Sequence, residues 1–131
     1  MPSKRILILF FGIILSIIIF KITFNSKIDY LALGDDLSIG RSPFNTYGKS
    51  FVDYFSLYLE QNDKLKTFNK EFIEKNHRTT DLISDIDNNK KKYINDKEIS
   101  INQLLLSADL ITISTGINEM FYKLTYDNIK K

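Results

Sequence analysis

Two short stretches hold the residue types that chemistry needs. Gly34-Asp35-Asp36-Leu37 closes the apolar run "IDYLAL", and Gly116-Ile117-Asn118-Glu119 closes the β-branched run "DLITIST". Between them lies His77, the only histidine of the chain. A carboxylate such as Asp36 can act as a nucleophile. It suits saturated carbon or phosphoryl groups; on an ester carbonyl it forms an anhydride that an activated water must resolve. If the segment around His77 folds toward the first loop, an Asp36–His77 pair follows. The plainer reading makes Asp36 an N-cap or turn residue that accepts from loop N–H groups. His77 is then a surface or cap-side residue before a helix, and Asp35 a turn residue. Asp85 and Asp87 have no third ligand nearby and read as a solvated helix face. Arg41 and Arg78 could bind an anion but are scattered, and Ser38 and Ser42 have no visible base. Neither a metal nor a cofactor is expected.

The elements that must position these residues follow from pattern. Residues 28–33 form a β-rich apolar run before Gly34, as in a buried strand. Residues 40–48, "GRSPFNTYG", are loop. Phe51, Tyr54, Phe55, Tyr58 and Leu59 recur at helical spacing, which predicts an amphipathic helix with the aromatic stripe in the core. A weaker strand is expected within 65–73. A helix opening at Thr79 or Thr80 puts Leu82, Ile83 and Ile86 on one side. Another helix spans 100–109, and 109–115 is a strand buried on both faces. "NNKKK" at 88–92 reads as a solvated helix end or loop. Strands alternating with helices predict a parallel sheet covered by helices, with sites outside the carboxyl ends of its strands. Both glycine-led stretches fall at such ends.

Residues 6–20, "ILILFFGIILSIIIF", carry no charge. As helix they span about 22 Å, or about 28 Å when extended past Lys21 to Phe24, near the ~30 Å of a hydrocarbon core. No small-residue cleavage pattern follows, and the chain has no cysteine for lipid attachment or disulfides. The expectation is an uncleaved single-pass anchor over residues 1–24, contacting the membrane through 6–24. Lys4 and Arg5 place its N-terminus in the cytoplasm and the remainder outside. The net charge of +2 arises there: 15 basic residues remain against 16 acidic ones from residue 25 onward, near −1. That leaves no basic stripe for nucleic acid.

"YLALGDDLSIG" and "ADLITISTGINEM", in this order and each led by a suitable strand, resemble the first and third blocks of the SGNH or GDSL-type hydrolases. The resemblance covers roughly residues 28–122. It implies an α/β domain over 25–131 with a partial flavodoxin-like, three-layer parallel sheet of about three strands. In that family a serine in the first block attacks an ester, and a glycine N–H and an asparagine help hold the oxyanion. Asn118 matches the asparagine, and Gly34, Asp35 and Leu37 match the first block's frame. Asp36 stands at the serine, His77 at the glycine, and Glu119 replaces an aspartate. No Asp-x-x-His segment follows before Lys131.

The resemblance therefore implies a membrane-anchored, truncated hydrolase-like protein without competent ester chemistry, with an acyl ester as the ligand to consider. A membrane-anchored esterase acting on acyl groups of lipids or envelope glycans is the first alternative. A small single-span interaction protein is the second. The strand at 109–115, internal in the family's order, is expected to offer an exposed edge that invites pairing with another chain.

Overall fold

The computed structural model describes residues 4–24, 26–94, 96–120 and 122–123. Its elements are α1 (Lys4–Phe24), β1 (Ile28–Gly34), α2 (Asp36–Ile39), α3 (Phe51–Gln61) and β2 (Leu65–Asn69). There follow α4 (Thr79–Asp87), β3 (Lys91–Ile94), β4 (Lys97–Ser100), α5 (Ile101–Ser107) and β5 (Leu110–Ser114). Three parallel strands run in the order β2-β1-β5, so the most apolar strand is central.

Alternation along β1 builds two cores. Tyr30 and Ala32 meet Val52 and Leu59 of α3 on one face. Leu31 and Leu33 meet Phe72, Leu82 of α4 and Ile101 of α5 on the other. Each fully buried aliphatic side chain contributes about 1.5–3 kcal/mol. The result is a small α/β protein with helices on both faces of a three-strand sheet. Ser100 opens α5 by accepting from the Gln103 N–H, while the Gln103 side chain accepts from the Ser100 N–H, a reciprocal cap.

The structure corrects several expectations. The membrane-spanning helix is overturned: among the described residues no helix is long and apolar enough to cross a membrane. Residues 1–3 and the side chains of Lys4 and Arg5, on which the expected orientation rested, lie outside the described residues.

The aromatic stripe of α3 is not core. Val52, Ser56 and Leu59 face the sheet, and Phe51, Tyr54, Phe55 and Tyr58 stay exposed. Asp53 fixes this rotation. Its carboxylate accepts from the Ser50 N–H at 2.9 Å and pairs with Lys70, just beyond β2. On α4, Leu82 is buried but Ile83 is exposed. The lysine run leads into an unforeseen antiparallel hairpin, β3–β4, whose connection includes Asp96 at positive φ. Residues 117–120, expected as loop, are helical.

Candidate functional site

The site forms where β1 and β5 end together. Gly34 has φ +153°, and a Cβ there would overlap the Ser114 carbonyl oxygen and the Ser38 hydroxyl. Only glycine lets the two strand ends approach this closely. The Asp35 N–H donates to the Ser114 carbonyl at 3.0 Å. Asp35 then caps α2, its Oδ1 accepting from the Leu37 N–H at 3.1 Å. This side chain is fully buried. Burial pushes its carboxyl above the ordinary range, opposed by hydrogen bonds from the Leu37 and Ile117 N–H groups.

Asp36 is also buried, and donors from three segments converge on it. The Asn76 N–H donates to Oδ2 at 2.7 Å, and the Asn118 amide donates to the same oxygen at 3.1 Å. Arg41 Nη1 lies 3.3 Å from Oδ1. Asn118 sends a second bond, 2.9 Å, to the His77 carbonyl oxygen. A primary amide has two N–H groups, and both are engaged. Asn76 has φ +54°, a conformation asparagine tolerates better than most residues.

These groups line a cavity of about 850 Å³ with Leu37 and Ile117. Glu119, next to the lining residue Asn118, accepts from the Thr79 N–H at the start of α4. That bond, first among its interactions, holds the Glu119 carboxyl below its ordinary value.

The structure thus brings Asp36 and Asn118 together and separates the His77 ring from them. His77 is buried rather than on the surface, and its Nε2 lies 3.2 Å from Asp85 Oδ2. Only its carbonyl reaches the Asp36 cluster, so no Asp36–His77 side-chain pair is present. Asp85, expected on a solvated face, is instead partly buried between His77 and Lys90. Asp36 is not the N-cap; Asp35 is, and Asp36 instead joins separate loops.

Glu74, His77 and Asp85 place three potential metal-ligand atoms within 4.8 Å of one another. A cation already sits there. The Lys90 ammonium lies 2.8 Å from both Glu74 Oε1 and Asp85 Oδ2, and Lys92 lies 2.7 Å from Glu74. Burial raises the Glu74 carboxyl, but the two ammonium groups outweigh it and bring it down to about 2. The cluster is a compensated ion-pair network, and none of its residues lines the cavity.

Sequence reasoning missed Asn76 and gave Arg41 only as one of two scattered arginines that could bind an anion. The available signals were an asparagine in a turn and a basic residue five positions after Asp36. No family model matches the chain, and no curated protein or solved structure matches it.

Proposed function

We propose that this chain is an SGNH/GDSL-like domain whose site holds a ligand and does not hydrolyse esters. The observation that carries the reading is the saturation of the cradle: the Asn76 N–H and the Asn118 amide both donate to Asp36 Oδ2. Oxyanion stabilisation needs donors aimed at the charge that develops in the transition state. Here they are satisfied by a resident carboxylate, and that negative charge opposes a second one. The chain's single imidazole pairs with Asp85, and His77 is not among the residues lining the cavity. Among the described residues no imidazole therefore stands beside position 36 to activate a hydroxyl there.

The test is hydrolysis of short-chain aryl esters by the folded chain beside Asp36→Ser and Asp36→Asn variants, with folding checked by circular dichroism. The expected outcome is no turnover above buffer for any of them. The serine variant vacates the cradle but gains no base. Turnover by the natural sequence that Asp36→Asn abolishes would establish Asp36 as a nucleophile and overturn the proposal.

A further inference from the structure

The outer edge of β5 is open among the described residues. Among the described residues no strand pairs with it, and "LITIS" carries neither charge nor proline. The opposite sheet edge differs: β2 contains Lys66 and is flanked by Lys64 and Lys70. Lysine is a common guard on free edges. Ile111 and Ile113 lie exposed on one face of β5.

The other face has a matching apolar flank. On a helical wheel of 100° per residue, Phe51, Phe55 and Tyr58 of α3 lie opposite Asp53 across the sheet-facing line of Val52, Ser56 and Leu59. Asp53 is tied to Lys70 at the β2 side. The aromatic flank therefore overhangs the β5 side. Phe55 also sits edge-on to Tyr30, whose hydroxyl bonds Thr112 of β5. No charged residue lies on this flank or on β5, in a chain that is 26% charged. Exposed apolar surface grouped in this way marks an interface.

We propose that the occupant is a second copy of this chain, paired antiparallel through β5 about a two-fold axis at Thr112. The main chain specifies the register. The Ser114 carbonyl accepts from β1, so Ser114 and, by alternation, Thr112 turn their N–H and C=O groups inward. Ile111 and Ile113 turn theirs outward. Ile111 then exchanges two hydrogen bonds with Ile113 of the second copy, and Ile113 with its Ile111.

The pairing makes a six-stranded sheet, with the four isoleucines together on one face. On the other face it places β1 about 14 Å from its counterpart, three strand spacings away. The two α3 helices are then farther apart than the usual 8–10 Å, and the opposed aromatic flanks fill the difference. Phe51, Phe55, Tyr58, Ile111 and Ile113 are each only about a third to three-fifths exposed, so at roughly 200 Å² for a whole large side chain the exposed parts from two copies amount to about 1,000 Å². That reaches the area a specific interface requires, about 1,000 Å². With no charge on the strand, the contact carries no like-charge repulsion.

The chain lacks cysteine, which makes the register testable. Opposed Thr112 residues form a non-hydrogen-bonded pair with Cα atoms about 4.5 Å apart, within disulfide reach. The full chain carrying Thr112→Cys is oxidised in mild detergent, which suppresses association through α1. Tyr93→Cys, exposed on β3, is the control. The expected result is a covalent dimer formed about tenfold faster at position 112 than at 93. Adding Ile113→Lys to Thr112→Cys should slow it by a similar factor, with circular dichroism unchanged. Cross-linking at 112 no faster than at 93, or unaffected by Ile113→Lys, overturns the proposal. So does a monomeric sedimentation coefficient for the unmodified chain at tens of micromolar.

Discussion

Replacing Asp36 by alanine removes the acceptor shared by the Asn76 N–H, the Asn118 amide and Arg41. Buried donors left without an acceptor cost about 1–3 kcal/mol. Asp36→Ala is therefore expected to lower stability by that amount in urea unfolding. The vacated cradle should bind an external carboxylate. Acetate at about 0.1 M is expected to raise the melting temperature of the variant by a few degrees and to leave the natural chain unchanged. Equal effects on both would show that the donors do not form a carboxylate site. At this scale the sequence exposed Asp36 and Asn118, because glycine-led strand ends are visible in a single pass. Asn76 and Asp85 were not legible as partners. They meet Asp36 and His77 only through loop and helix placement, which residue types alone do not encode.

The elements themselves were more legible than their rotations. Strands β1, β2 and β5 and helices α3, α4 and α5 all overlap segments that apolar runs, spacing or turn residues mark in the sequence. The spacing on α3 favoured the aromatic stripe, yet Asp53 and Lys70 turn a narrower line of Val52, Ser56 and Leu59 to the sheet. On α4 the same ambiguity separates two adjacent residues. Leu82→Ala is expected to cost about 2–5 kcal/mol, and Ile83→Ala under about 0.5 kcal/mol, in the same denaturation assay. Similar values would mean that α4 is rotated from its observed position. Gly34→Ala meets both a left-handed φ and the Ser114 carbonyl, so it should cost more than about 2 kcal/mol. The hairpin escaped notice because its strands are short, lysine-rich and joined through polar residues that also suit a loop.

Across the whole molecule, the Glu74–Lys90–Asp85 network ties the loop after β2 to α4 and the hairpin. The folded-state value of Glu74, about 2, lies below its ordinary 4.5. Its contribution is complete above pH 4.5 and disappears as pH falls toward 2. Melting temperatures measured across that range should decline less steeply for Glu74→Gln than for the natural chain. Parallel slopes would exclude this group as a source of acid sensitivity. The central position of β1 has a further consequence, for synthesis on the ribosome. Asp29 meets Asp109 across a separation of 80 residues. At about 5–20 residues per second, β1 waits some 4–16 seconds for its second neighbour. Through that interval Tyr30 to Leu33, buried in the finished fold, present an open apolar edge. The nascent chain is thus most vulnerable to proteases and most in need of chaperones just before β5 emerges, and docking of β5 closes that window.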